Sequence, residues 1–127
     1  MRSMIRPGAV GLAIVTAVVV AGTAGAGTRA TTTVTIKTQN GDFWGYVDSP
    51  RPLKCADGRK IVLFKQVGAE QDPSVDQKVA NDTASLNGDR YMWSTGNTGQ
   101  SGKFYARAGR TINCKADTSP TVRSVKQ

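Results

Sequence analysis

Two cysteines, nine carboxylates, a lysine-ended glycine loop and four aromatic side chains at alternating positions are the groups in this 127-residue sequence that could do chemistry. Histidine is absent. Its absence removes the serine and cysteine triads in their usual forms, and most zinc sites with them. A serine–lysine nucleophile has no support either, since no Ser-x-x-Lys spacing occurs. Residues 96–103 (GNTGQSGK) look superficially like a phosphate loop. Asn97 stands where that motif needs glycine, Phe104 where it needs serine or threonine, and the segment lies between strands rather than before a helix. A carboxylate-dependent secreted hydrolase would need two acids facing each other across a cleft. The nine acids here, Asp42, Asp48, Asp57, Glu70, Asp72, Asp76, Asp82, Asp89 and Asp117, are expected on turns and loops, where solvated turn chemistry accounts for them. Glu70, Asp72, Asp76 and Asp82 supply oxygens for calcium, but their spacing fits no standard loop and Pro73 restricts it. No enzyme activity, metal or cofactor is expected.

The aromatic set carries the binding alternative. Trp44, Tyr46, Trp93 and Tyr105 each alternate with residues that read as inward-facing. Turned outward on one sheet, they would form a flat platform for sugars or peptides, making the chain a carbohydrate-binding module. Turned inward, they would supply the large buried area that a small core needs. Both arrangements are open at this point, with the core favoured for the tryptophans.

The elements that must hold these groups begin after an export signal. Met1–Arg6 is basic, residues 9–21 are apolar except for Gly11 and Thr16, and Ala24-Gly25-Ala26 is a small-x-small exit. This is the make-up of a secretory signal peptide over residues 1–26, with an uncleaved anchor over residues 9–26 as the competing reading. Cleavage would remove Arg2 and Arg6, leaving fifteen basic residues against nine acids, a net charge of +6 on 101 residues. Residues 27–32 are expected as a short linker and 33–127 as one domain. An even cysteine count in an exported chain reads as a disulfide. Cys55 and Cys114 would close a loop of 60 residues, worth about 4 kcal/mol of chain entropy.

Period-two alternation and turn dipeptides dominate the rest, which is an all-β signature. Strands are expected over residues 31–38 (TTTVTIKT), 43–47 (FWGYV), 60–67 (KIVLFKQV), 77–86, 91–94 (YMWS), 103–108 (KFYARA), 112–114 and 121–125. Asn40-Gly41 and Asn87-Gly88 mark tight turns. About seven strands at even spacing give a single antiparallel β-sandwich, preceded by the signal-peptide helix. The basic residues are scattered, with no block of five. Arg51, Lys54, Arg59 and Lys60 nevertheless flank Cys55, so one end of the sandwich is locally basic.

Gly45-Tyr46-Val47, Ile61-Val62-Leu63, Asp82-Thr83, a turn at Gly88, Tyr91-Met92-Trp93 and Gly102-Lys103-Phe104-Tyr105-Ala106 together resemble the prealbumin-like, carboxypeptidase-regulatory-like β-sandwich modules, over about residues 33–108. The whole chain is also similar to small exported bacterial proteins of unknown role that carry the same cysteine pair. The resemblance implies a non-catalytic module with a binding or structural role outside the cell or at its surface. Its expected partner is an extracellular polymer or protein, not nucleic acid, and membrane contact is expected only through an uncleaved signal. A monomer is expected.

Overall fold

Along Asp42–Asp48, Phe43, Gly45 and Val47 are buried, while Trp44 and Tyr46 lie half-buried on the opposite side. That alternation is what a strand with one face on a core requires, and it recurs through the fold. A computed structural model describes residues 28–125. Their elements in chain order are β1 (Thr33–Val34), β2 (Lys37–Gln39), β3 (Asp42–Asp48), a short helix α1 (Pro52–Cys55), β4 (Lys60–Lys65), β5 (Gln77–Thr83), β6 (Ser85–Asn87), β7 (Arg90–Asn97), β8 (Gly102–Ala108), β9 (Asp117–Thr118) and β10 (Val122–Ser124). One antiparallel sheet runs β1-β3-β7-β6, with β2 also on β3; the other runs β10-β8-β4-β5, with β9 on β8. The sheets face each other in a sandwich-like arrangement. Val34, Phe43, Val47 and Trp93 from the first meet Ile61, Leu63, Phe104, Ala106 and Ala108 from the second. Phe43 and Phe104 touch across the middle, with ring centroids 4.6 Å apart.

The expected strand over residues 31–38 is broken in two. Thr35 departs from the ladder so that its carbonyl enters the sheet over Gly45 and accepts a 3.0 Å hydrogen bond from Trp93 Nε1. Only glycine fits beneath it, because a Cβ on residue 45 would lie 1.9 Å from that oxygen. The turn that follows is as read from the sequence. Asn40 and Gly41 both have positive φ, 52° and 88°, between the paired residues Gln39 and Asp42, as a two-residue type I′ hairpin needs.

The single strand expected over residues 77–86 is two strands in different sheets. The chain crosses over at Ala84, which is 1% exposed and whose amide donates to the Arg59 carbonyl while its own carbonyl accepts from Gly58. Residues 112–114 form no strand: Cys114 makes one isolated parallel bridge to Ala30. The described strands therefore number ten rather than about seven, because two sequence runs divide and a short strand, β9, adds to β8. The strand and turn pattern gives no sign of the helix α1. Pro52 opens it at a position where a missing N–H costs nothing. The expected signal-peptide helix lies outside the described residues. Among those residues, no helix is long and apolar enough to cross a membrane.

Candidate functional site

Cys55 ends α1 and Cys114 sits in the connection after β8. They form the expected disulfide, with Cα atoms 5.6 Å apart. Its effect is local as well as entropic, because it ties together two irregular connections at one end of the sandwich. Between them lies an open cleft of about 580 Å³, inside the range of small-ligand sites, about 300–1,000 Å³. One wall is the β3–β4 connection with Lys54, Asp57 and Gly58, and the other is the β8–β9 connection with Arg110, Ile112 and Asn113; Arg59, Lys60 and Val62 also line it.

The walls are braced from below by Arg59, which is only 5% exposed. Its Nη1 donates to Thr32 Oγ1 at 3.0 Å and to the Cys55 carbonyl at 2.9 Å. Its Nη2 donates to the carbonyls of Gly109 and Lys115, both at 2.8 Å. The planar fork of a guanidinium suits this task, since one side chain reaches four acceptors in three segments. All four are neutral oxygens and none is a carboxylate. Burial pushes the Arg59 pKa down from its ordinary value, yet a guanidinium stays charged near neutrality. The buried charge is therefore not cancelled by an acid.

Electrostatically the cleft is one-sided. Lys54, Arg59, Lys60 and Arg110 stand against one carboxylate, Asp57, a balance of four positive charges to one negative. Among the described residues the single ion pair is Arg90–Asp48 at 2.9 Å, on the outer face of the first sheet. Lys54, Lys60 and Arg110 are exposed and carry no ion pair there. Unpaired cations on a concave wall raise the local concentration of anions. The basic flank of Cys55 was readable in the sequence; Arg110 was not, because it reaches the cleft through the long-range pairing of β4 with β8, Ile61 opposite Ala108, and through the bridge. Pooling the charges near both half-cystines would have found it.

The four aromatics are not brought together. Trp93 is fully buried on the core face of β7, opposite Gly45. Tyr105 does point away from Phe104 and Ala106, as its alternation indicated, but it is fully buried too. The connection after β4 folds over it: Tyr105 stacks on Phe64 with centroids 5.2 Å apart, and its hydroxyl donates to Asp76 Oδ2 at 2.5 Å. Asp76 also accepts from the Val67 and Asp72 amides. The Tyr105 hydrogen bond, with those two amides, holds the Asp76 pKa below the usual carboxylate range. Burial, with Asp76 second, raises that of Tyr105. Only Trp44 and Tyr46 remain half-exposed, on the outer face of β3. Arg90 lies 3.8 Å above the Tyr46 ring while paired with Asp48.

Other carboxylates serve the backbone. Asp117 accepts from the Val34 amide, Asp82 from Ser94, and Asp72 from Ser74. No group of three or more cysteine, aspartate or glutamate side chains that could hold a metal occurs among the described residues. Comparison with protein-family models, curated proteins and solved structures returned no match to this chain.

Proposed function

We propose that this chain is an exported, non-catalytic β-sandwich module that works by binding an anionic ligand in the cleft at its disulfide-stapled end. The observation that carries this reading is the convergence of Lys54, Lys60 and Arg110, without ion pairs, on a cleft that holds a single carboxylate, Asp57. One acid cannot supply the two opposed carboxylates of a glycosidase, so the lining favours binding over hydrolysis. Export is supported by the signal-like N-terminus and by the disulfide, which persists in oxidising compartments. The two-sheet arrangement and the strand grammar of residues 33–108 support a place among the prealbumin-like, carboxypeptidase-regulatory-like modules.

The test is binding of the purified, oxidised protein to immobilised polyanions, heparin and a polyol phosphate. A variant combining Lys54→Ala, Lys60→Ala and Arg110→Ala runs alongside. Retention by the parent and its loss in the variant are expected; equal retention of both would sink the reading. A second reading, sugar stacking, rests on Trp44 and Tyr46 as half-exposed neighbours on one face. Trp44→Ala separates the two, since it should leave polyanion binding unchanged.

A further inference from the structure

The two most exposed large apolar side chains among the described residues are Ile112, at 83%, and Leu53, at 77%. Each lies two residues from a half-cystine, Leu53 from Cys55 and Ile112 from Cys114. Because the bridge holds those cysteines together, the two side chains belong to the same end of the sandwich, with Cα atoms no more than about 20 Å apart. Ile112 lines the cationic cleft itself, and Leu53 adjoins its lining residue Lys54. Exposed Arg51 and Lys115 lie beside the same two walls. One end of the molecule thus combines unpaired cations with two apolar tips.

A soluble polyanion would use the cations and leave both tips in water. A membrane surface accepts both, because phosphate groups lie at headgroup level and the apolar boundary begins a few ångströms deeper. We propose that this end docks on a membrane surface bearing anionic phospholipids. A headgroup phosphate enters the cleft between Lys54, Lys60 and Arg110, while Leu53 and Ile112 insert at the interface. Docking of this kind is peripheral and reversible, and it requires no membrane-crossing helix. The inference rests on the anion-binding reading of the cleft and goes beyond it by naming the partner.

Vesicle co-sedimentation tests it, using phosphatidylcholine alone and phosphatidylcholine with about one-third phosphatidylglycerol. Intact mass confirms first that parent and variants carry the same N-terminus, so that any difference belongs to the cleft end. The parent should bind only the anionic vesicles and be released as salt rises from about 0.1 M to about 0.5 M. Combining Lys54→Ala, Lys60→Ala and Arg110→Ala should weaken binding on the order of a hundredfold, about fivefold per charge. Leu53→Ala with Ile112→Ala should weaken it by on the order of tenfold. These exposed positions leave the core untouched, and unchanged circular dichroism verifies that. If the apolar variant binds anionic vesicles as tightly as the parent, the membrane inference is overturned. If a soluble polyol phosphate binds but vesicles do not, the inference falls while the cleft reading stands. If neither binds, both fall.

Discussion

Replacing Gly45 by alanine tests the central joint of the first sheet. The new Cβ would lie 1.9 Å from the Thr35 carbonyl oxygen, 2.7 Å from its carbon and 2.8 Å from Trp93 Nε1. Ordinary contact needs about 3.5 Å, so the peptide must retreat by more than about 1 Å. Thr35 cannot yield without loss. Its amide donates to the Tyr46 carbonyl at 3.0 Å, its hydroxyl accepts from the Tyr46 amide at 2.9 Å, and its carbonyl takes the Trp93 indole. Stranding the buried indole N–H costs about 1–3 kcal/mol. Forcing the backbone apart costs about 1–3 kcal/mol more. The expected loss is about 3–5 kcal/mol, a large part of the stability of a small domain, about 5–15 kcal/mol. Guanidinium unfolding of the oxidised protein measures it through the midpoint and slope. Gly88→Ala is the control, since nothing lies within 4 Å of its Cβ and only its φ of +71° is strained, at about 1–2 kcal/mol. If Gly45→Ala costs no more than Gly88→Ala, the close approach of Thr35 is not what fixes this position. Trp93→Phe should be non-additive with Gly45→Ala by about 1 kcal/mol, because both act on the Thr35 carbonyl.

Three further outcomes follow from the same geometry. Cys55→Ser with Cys114→Ser should lower stability by about 4 kcal/mol by unfolding titration and weaken polyanion binding, because the cleft walls lose their tie; unchanged binding would show that the walls hold without it. Arg59→Lys keeps a charge but cannot span four oxygens, so a loss of about 2–4 kcal/mol is expected on unfolding, and a neutral effect would refute the bracing role. The Asp76–Tyr105 pair sets two pH limits. Asp76, held low, contributes stability above the ordinary aspartate pKa of about 3.9 that is lost as pH falls through its folded value. Tyr105, pushed up, contributes stability that is complete below about 10 and lost as pH rises toward its folded value. Asp76→Asn should flatten the acid limb of the unfolding midpoint against pH and bring Tyr105 ionisation, followed by ultraviolet absorbance, closer to the ordinary value.

Local chemistry made much of this fold legible. The alternation of residues 42–48 and the Asn40-Gly41 turn follow from backbone geometry within a few residues, and an even cysteine count is enough to pair Cys55 with Cys114. The same reasoning gives the sign of the charge beside Cys55. What alternation cannot give is the material lying on each face. It placed Tyr105 opposite Phe104 and Ala106, but only the folded connection after β4, held by Asp76, decides that this face is covered. Residues 77–86 read as one strand because Ala84 fits either face of a ladder; the crossing between sheets depends on its hydrogen bonds to Gly58 and Arg59, which are distant in sequence. The cleft is tertiary in the same sense. Lys54 and Arg110 stand 56 positions apart, and they share one site because the β4–β8 pairing, a disulfide and one buried guanidinium hold two irregular segments side by side.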